Sequence, residues 1–551
     1  MTGSIMTARR AARLLLGTAL AFAPLTAFAR ANDTVGPQVV APPQTFTIMA
    51  IDVVGVSKLP AAQIEKLIYP FMGPSRTPAD VEAARKAVQD AYAQAGFEAT
   101  VVDVPPQPQE DFARGLVMIR VSEAPVAEVK VSGSKHHSAE LILRQLPSIK
   151  AGEPLNFKVL QSELAAANRF PDRDIVPAFD AGTVPGTINV DLEVRDSLPL
   201  HASLELNNDN SPNTVPLRLT GSASYSNLWG VGHTITVGGS IAPERKADSE
   251  AYFGSYTLPF LGSPWSLVLN GYKSNSNIAA LGGTNVLGNG YQVGFQAIYR
   301  LATNRDYQAF RVGVDYKDFK QDIKLRDIVI SAPIRYLPLT LGYNYSAVRD
   351  KSSLDIGLSS TLGLRVVKRI NCFDPTATIC TPEDQFTNRE VDSTENFAHL
   401  NLDLTYTLKF GGDWVAETRL SAQYADGHLV SNEQFAIGGL TSVRGYYQSE
   451  VVGDRGYAGS FELRTPSLAT RIGTFVDDLR LFAFTDYGLV SIIDPLPDTQ
   501  SLFSIVSLGG GLRAKLFGHL SAQAVISIPL SATTETASGD QRITFSVKGE
   551  F

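Results

Sequence analysis

The chain has 551 residues, of which 44% are hydrophobic, and it carries 48 Lys and Arg against 55 Asp and Glu. This length exceeds what one ordinary hydrophobic core accommodates, so two or more domains are expected. No stretch of about 18 apolar residues occurs, which excludes a protein that crosses a membrane with helices. Alternating strands raise the average hydropathy little, so a transmembrane β-barrel stays possible.

The N-terminal residues have the pattern of a secretory signal peptide. Three arginines between residues 9 and 13 precede an apolar run from Leu14 to Leu25, and small residues around Ala29 offer a cleavage site. We therefore predict residues 1–31 to be the signal peptide of an exported protein. The rest of the chain holds 44 basic and 55 acidic groups, a net charge of −11, which argues against nucleic acid as a partner.

Two similar units are predicted after a proline-rich segment, residues 32–45, which we expect to be flexible. From Phe46 the pattern gives a strand, two helices and two strands, and Thr77-Pro78-Ala79-Asp80 marks the start of the longer helix. The same order recurs, so residues 46–123 and 124–197 are predicted to be two α+β domains. They resemble tandem POTRA domains, the periplasmic modules of outer-membrane protein-handling machines; two unrelated α+β domains are the alternative.

Residues 198–551 have the pattern of a transmembrane β-barrel. After Pro199 no helical periodicity occurs, and apolar residues alternate with polar ones in segments of about ten to fifteen residues, as in Leu520 to Leu530. About sixteen such segments can be counted. Their connections sort by length, with long ones on one side and short ones on the other, apart from the long turn near 466–476. A soluble β-sandwich would not require this parity, so we predict a 16-stranded antiparallel barrel.

One arginine is prominent in a long connection, residues 427–449, which is predicted to lie on the outer side. Ile437 to Tyr447 holds Arg444 as its only charge, between glycines and aromatic residues. Downstream, Asp486 falls on the thirteenth strand and, opposite in parity to Tyr487, points into the lumen. Arginine and carboxylate form a strong bidentate pair when shielded from water, so we expect the loop to fold inward with Arg444 against Asp486. Alternatively, the glycines build surface turns and Asp486 is a solvated carboxylate.

Two motifs resemble those of the outer-membrane assembly and secretion superfamily. The first is Val443-Arg444-Gly445-Tyr446, and the second is Phe484, Asp486 and Gly488 at alternate positions. Together with two POTRA-like domains upstream, they make the sequence similar to two-partner secretion transporters of the TpsB class, the haemolysin secretion/activation proteins of the ShlB/FhaC/HecB type. Further matches lie at 168–171, 182–187 and 208–211.

This resemblance implies a transporter, not an enzyme, in the outer membrane of a Gram-negative bacterium, with its POTRA domains in the periplasm. The POTRA domains would recognise an unfolded secreted exoprotein of the adhesin or haemolysin type (TpsA type), and the barrel pore would export it. Arg444 and Asp486 would anchor the loop inside the barrel. An outer-membrane barrel insertase carries the same motifs and is the alternative, whereas a passive porin would not need two periplasmic domains.

The two ends of the chain add two expectations. Many members of this class begin with an amphipathic helix that plugs the pore, but residues 32–45 contain three prolines and predict no long helix. Closure of the pore would then depend on the inward loop alone. At the other end Phe551 closes an alternating strand, which resembles the signal read by the outer-membrane barrel assembly machinery.

The remaining residue types indicate no further chemistry. Cys372 and Cys380, the only cysteines, are predicted to form a local disulfide rather than a metal site, because no His lies nearby. The seven His show no metal-ligand spacing, and we expect them to be solvated. We expect no cofactor, no metal and no catalytic residue. The expected partners are the exoprotein, outer-membrane lipid and, during biogenesis, the barrel assembly machinery, and the protein is expected to be a monomer.

Overall fold

Two α+β units precede a closed barrel in the structure, a computed structural model. It describes residues 45–551 with gaps at 169–171, 261, 276–277, 282–283, 288, 303–305, 321, 326–327, 368–369, 372–382, 391 and 496–499. The predicted signal peptide, nearly all of the proline-rich segment and the predicted Cys372–Cys380 disulfide lie outside the described residues.

Unit 1 packs two helices against a small sheet. Its elements are β1 Phe46–Ile48, β2 Ala50–Val54, α1 Ala61–Ile68, β3 Gly73–Arg76, α2 Pro78–Gln94, β4 Val101–Asp103, α3 Gln109–Ala113 and β5 Leu116–Ser122. β5 lies between β2, which is parallel to it, and β4, which is antiparallel. The predicted apolar face of α2, from Val81 to Tyr92, is buried in the core. The structure divides the predicted strand Phe46–Val54 in two and adds β3 and α3, which are too short to show a period.

Unit 2 repeats this arrangement in a simpler form. Its elements are β6 Val126–Ser132, α4 Ala139–Gln145, α5 Phe157–Ala167, β7 Arg173–Ala181 and β8 Ile188–Asp196. The sheet order is β6-β8-β7, with β6 parallel and β7 antiparallel to the central strand. Val190, Leu192 and Val194 of β8 pack against both helices in the core. This sheet order leaves β7 at an edge.

Both units build the same corner after their first long strand. Gly55 and Gly133 adopt φ of +85° and +79°, and a Cβ there would lie 2.2 and 2.5 Å from a carbonyl oxygen of the last strand. The carboxylates of Glu123 and Asp196 each accept two successive backbone N–H groups at 2.7 and 2.9 Å. Although burial alone raises the pKa of Asp196, these N–H donors bring it down to about 2. The shared corner supports the prediction that the units are copies.

The two units are joined end to end through their helices. The carbonyl oxygens of Ala95 and Gly96, at the end of α2, accept hydrogen bonds from the Asn156 side chain at 3.0 Å and the Phe157 N–H at 2.8 Å. The N-terminus of α5 thus faces the C-terminus of α2, which aligns their dipoles favourably. A Cβ at Gly96 would lie 2.4 Å from Asn156 Oδ1, so the joint admits only glycine without rearrangement.

Sixteen antiparallel strands close the barrel, as predicted. Barrel strands 1 to 16 are Leu200–Asn207, Arg218–Leu228, His233–Ile241, Glu250–Pro259, Trp265–Ser274, Asn289–Ala302, Asp306–Lys320, Ile334–Val348, Ser352–Leu364, Ala398–Phe410, Trp414–Ala425, Arg455–Arg464, Val476–Ser491, Leu502–Leu516, Leu520–Pro529 and Arg542–Glu550. Strand 16 pairs with strand 1, for example Val547 with Leu206. On strand 15, Ile526 is exposed while Val525 and Ser527 are buried, which confirms the predicted alternation.

The connections of the barrel also sort as predicted. Those on the side of the two units are short, except residues 465–475, and the longest on the other side include 365–397 and 426–454. We call residues 426–454 loop 6. No helix among the described residues is long and apolar enough to cross a membrane. Smaller elements in the chain are Tyr69–Phe71, Lys246–Asp248, Ile278–Leu281, Thr284–Leu287, Asp322–Leu325, Ile328–Ser331, Ile370–Asn371, Glu383–Asp384, the helix Gln385–Arg389, Phe435–Ile437, Val451–Gly453 and Ala469–Arg471.

Candidate functional site: the anchor of loop 6

Loop 6 folds back against the inner wall of the barrel. Its two arms pair as a short hairpin, Phe435–Ile437 with Val451–Gly453, and the residues between them form a tip. Val443 and Tyr446 of the tip are buried in one cluster with Val490 of strand 13. Gly445 adopts φ of +97°, a conformation that favours glycine, and so turns the chain between Arg444 and Tyr446.

Arg444 binds Asp486 in the bidentate geometry that the sequence predicts. Its Nε lies 2.8 Å from Oδ2 and its Nη2 lies 2.8 Å from Oδ1 of the carboxylate, and its backbone N–H donates to Oδ2 at 3.0 Å. The arginine is 2% exposed and the aspartate 0%. Charge-assisted pairs of this kind are short and directional, so loop and wall have one defined register.

The wall supplies further partners to the same guanidinium. Nη1 donates to Glu462 Oε2 at 2.5 Å, and Nη2 donates to Ser460 Oγ at 3.0 Å. The ring of Phe484 lies under the guanidinium, with its centroid 3.5 Å from the Cζ atom. Every charged nitrogen of the arginine is therefore bound, as a buried charge requires.

Glu462 is a functional candidate that the sequence analysis missed. Besides Arg444, it accepts from Arg464 Nε at 2.7 Å and lies 3.1 Å from Arg513 Nη1, so one carboxylate faces three guanidinium groups. The sequence did carry one signal for Glu462. It neighbours Phe461 on strand 12, and because Phe461 is exposed on the outside, Glu462 must face inward. Parity placed it in the lumen, but nothing in the sequence linked it to Arg444.

The remaining residues of the second motif make room for the loop. A Cβ at Gly488 would lie 2.7 Å from Ile437 Cδ1 and 2.9 Å from Val443 Cγ2, so a side chain there would displace the loop. Phe484 in turn packs over Gly509 of strand 14, where a Cβ would lie 2.6 Å from its ring. In the wall motif, Asp486 thus binds the charge of Arg444, Phe484 supplies an aromatic ring beneath it, and Gly488 leaves space for the loop.

Tyr446 fixes the far side of the tip. Its hydroxyl lies 2.9 Å from the carbonyl oxygen of Val506 and 2.8 Å from that of Ser531, so it bridges strand 14 and the connection after strand 15. The loop also reaches that connection through Glu450, whose carboxylate accepts from Thr536 Oγ1 at 2.8 Å. Two of the four residues of the first motif, Arg444 and Tyr446, therefore bind the wall through side-chain hydrogen bonds.

The connection after strand 1 holds the tip from another direction. Both carboxylate oxygens of Asp209 lie 3.1 Å from the Leu440 N–H, and the Gln448 N–H donates to the Asn210 carbonyl oxygen at 2.9 Å. Asp209 and Asn210 belong to the match at 208–211, whose contact with loop 6 the sequence did not predict. Residues 208–211 lie against loop 6, where short polar side chains and backbone groups can bind its backbone N–H groups.

The stem of loop 6 has a second buried carboxylate. Glu433 accepts from Lys317 Nζ at 2.6 Å and lies 3.2 Å from His399 Nε2, both on the barrel wall. His428, also in the loop, lies 3.0 Å from Asp454. The expectation that every His is solvated is therefore wrong, because these two rings and that of His137 are almost fully buried against carboxylates.

The other predicted site residues lie outside this network. Phe551 pairs with Ala202 of strand 1 through its backbone, with N···O distances of 2.9 and 3.1 Å, while its residue surface is 70% exposed. Cys372 and Cys380 fall outside the described residues. In the described part of the chain, no group of three or more His, Cys, Asp or Glu could hold a metal ion.

Two family models match the chain. Residues 186–514 match the family described as haemolysin secretion/activation protein ShlB/FhaC/HecB, and residues 46–124 match the POTRA domain, ShlB-type. The outer membrane transporter CdiB of Escherichia coli is 21% identical over 88% of this chain and 79% of its own length. The heme/hemopexin transporter protein HuxB of Haemophilus influenzae is 18% identical over 87% of this chain and 82% of its own length.

Solved structures show the same fold. CdiB from Escherichia coli has a TM-score of 0.66 at 18% identity, covering 94% of this chain and 93% of its own. BamA from Haemophilus ducreyi lacking POTRA domains 1-3 has a TM-score of 0.52 at 12% identity, covering 92% of this chain and 100% of its own. The predicted fold class and the outer-membrane location are confirmed. The chain belongs to the ShlB/FhaC/HecB family of haemolysin secretion/activation proteins, which are outer-membrane transporters of the two-partner secretion type and not enzymes.

Proposed function

We propose that this protein exports an unfolded partner polypeptide of the adhesin or haemolysin type through its barrel, and that loop 6 is the element that opens the path. The observation that carries this proposal is the tip of loop 6 inside the lumen, held by Arg444 between Asp486 and Glu462. The family implies a secreted partner of the TpsA type. A tip that is held by a few polar contacts and one small apolar cluster can be released as a unit.

The POTRA domains capture the cargo before it enters the barrel. The edge strand β7, Arg173–Ala181, pairs with a strand on one side only among the described residues. The Asn168 side chain binds the backbone N–H and carbonyl of Ile175, so the part of β7 open to cargo lies beyond it, around the exposed Phe179. An extended polypeptide can add a strand there, because main-chain hydrogen bonds give affinity with little demand on sequence. This mode suits a cargo that is still unfolded.

Release of loop 6 then creates the passage. A sixteen-stranded barrel encloses an aqueous lumen unless side chains or loops fill it. Moving the tip away breaks the hydrogen bonds of Arg444 and Tyr446 to the wall and of Leu440 to Asp209, and water can replace each of them once the lumen opens. Folding of the cargo outside the cell prevents its return and so gives transport its direction. The transporter itself then needs no separate energy source.

Secretion of the partner tests this proposal directly. The chain, intact or with Arg444→Ala, is co-expressed with the exoprotein encoded beside it, and the exoprotein is measured in the medium. We expect export to require the chain. We also expect export to fall in the variant, because without Arg444 the released tip cannot return to its one defined register on the wall after each transport event. Arg480→Ala is the matched control, because Arg480 lies on the same strand as Asp486 but binds Asp413 and Asp478, away from loop 6. Export without this chain would refute the proposal.

A barrel insertase is the second candidate function. Strands 1 and 16 pair over five residues of each strand, and Phe551 adds a sixth pair with Ala202, whereas neighbouring strands elsewhere in the barrel pair over at least eight. A short seam is where a barrel could open sideways to template another barrel. Depletion of this chain distinguishes the two: an insertase would be needed for the assembly of other outer-membrane barrels, and an exporter would not.

A further inference from the structure

A cleft of about 710 Å³ lies between unit 2 and the mouth of the barrel. One side is formed by α5, including Glu163 and Ala166, and the other by the ends of barrel strands 3 to 7 that face unit 2. This volume is in the range of sites that bind ligands or short chain segments. None of the residues that anchor loop 6 lines it.

Unit 2 is attached to the barrel at strands 1 and 2. The buried carboxylate of Asp172, just before β7, binds the Ser226 hydroxyl and lies 2.5 Å from His201 Nε2. Asn227 Nδ2 donates to the carbonyl oxygen of His136 at 3.3 Å. Unit 2 is therefore attached to one part of the rim and leaves a gap over strands 3 to 7.

The cleft is lined in part by residues on the inner face of the barrel rim. Thr234 and Thr257 line it and are paired across strands 3 and 4. Ile235 and Val237 on strand 3 are exposed on the outside, so alternation directs the Thr234 side chain inward. A polypeptide in the cleft would thus lie at the inner edge of the mouth, next to the lumen.

The chemistry of the lining suits a polypeptide of varied sequence. Glu163 is already bound by the backbone N–H and hydroxyl of Ser148, and Arg300 by the hydroxyls of Ser266 and Tyr307. With its two charged groups occupied, the cleft offers hydroxyl and aromatic surface rather than a free cation for a phosphate. Such a surface contacts main chain and side chains without selecting one sequence.

We propose that this surface, which we call the mouth cleft, receives an extended segment of the exported polypeptide between its capture by the POTRA domains and its passage into the lumen. This inference rests on the proposed export function and adds a second binding site to it. β7 captures the cargo, and the mouth cleft aligns it with the pore.

Filling the mouth cleft tests its role. Ala166→Trp places an indole into the cleft, and Ala165→Trp puts the same group on the exposed neighbouring position of α5, which does not line it. We expect loss of export in the first variant and unchanged export in the second, at equal amounts in the outer membrane. Equal export by both variants would refute the proposed role of the mouth cleft, while the proposed export function would still stand.

A photo-crosslinking amino acid identifies the occupant. It is introduced at Phe260, which lines the cleft, and as a control at Phe410, an exposed aromatic at the end of strand 10 away from it. During secretion of the co-expressed exoprotein we expect an adduct with the exoprotein at position 260 and none at 410. Adducts with lipid alone at both positions, while the exoprotein is still exported, would overturn the proposal.

Discussion

Arg444→Ala is the substitution whose consequence follows most directly from the contacts of loop 6. It removes two hydrogen bonds to Asp486, one to Glu462 and one to Ser460. Alanine retains the third bond to Asp486, because the backbone N–H of residue 444 donates it. The two carboxylates respond differently, since Glu462 keeps Arg464 and Arg513, whereas Asp486 is left buried with one backbone donor.

The free-energy cost of Arg444→Ala is therefore that of breaking one buried ion pair. Removing one partner of such a pair costs about 3–5 kcal/mol, because a charge stays buried without compensation. Here that cost falls on the state with loop 6 inside the lumen, since water solvates Asp486 when the loop leaves. At about 1.4 kcal/mol per factor of ten, the population of released loop rises by roughly two to three and a half orders of magnitude.

Conductance in planar bilayers measures this shift. We expect frequent, long-lived open states for Arg444→Ala and traces like those of the unsubstituted protein for Arg480→Ala. Arg444→Ala combined with Asp486→Ala should open less often than the single variant, because no unpaired charge remains in the wall. An Arg444→Ala pore with the conductance of the unsubstituted protein would refute this reasoning.

Three other substitutions test separate parts of the structure. Gly488→Val should expel loop 6 and raise conductance, because a Cβ there would lie 2.7 Å from the loop, whereas Gly459→Val should not, since the nearest atom lies 4.0 Å away. Gly96→Ala should loosen the joint between the units, seen as a broader distance distribution between spin labels on each unit. Gly152→Ala shares the positive φ but has nothing within 4 Å, so it should leave the distribution unchanged. Asp196→Asn should weaken protection of unit 2 from hydrogen exchange. The pKa of Asp196 is lowered to about 2 in the fold, so its stabilisation is full above the unfolded value near 4 and fades as pH falls toward 2, where variant and parent should converge.

The barrel and one half of its anchor could be predicted because alternation specifies which way each side chain points. Leu481 and Tyr487 are exposed and Phe484 and Asp486 buried, as the parity of strand 13 requires. Arg444 was identifiable because a lone charge among glycines and aromatic residues needs a partner. The pairing of these two residues needed only the assumption that the loop folds inward.

The other half of the anchor depends on how distant strands are aligned. Glu462 comes within reach of Arg444 because it pairs with Phe484 on the neighbouring strand, and that register is set by the whole barrel. Glu433 of loop 6 binds Lys317 on the barrel wall, and Asp209 in the connection after strand 1 binds Leu440 of loop 6, so both contacts join residues that are far apart in sequence. Periodicity gives the face on which a residue lies but not its depth along the lumen, so these partners had no sequence signal.

Locking loop 6 in place tests the central claim most directly. The nearest methyl of Val443 lies 2.9 Å from where a Cβ at Gly488 would be. This is too close for unbonded atoms but near the separation of a Cβ from the opposite sulfur of a disulfide, so cysteines at these two positions can bond the tip to the wall. In a chain with Cys372 and Cys380 replaced by serine, we expect oxidation of this pair to stop secretion of the exoprotein and reduction to restore it. Each single cysteine should have no such redox dependence. Continued secretion with the loop covalently fixed inside the barrel would contradict the account.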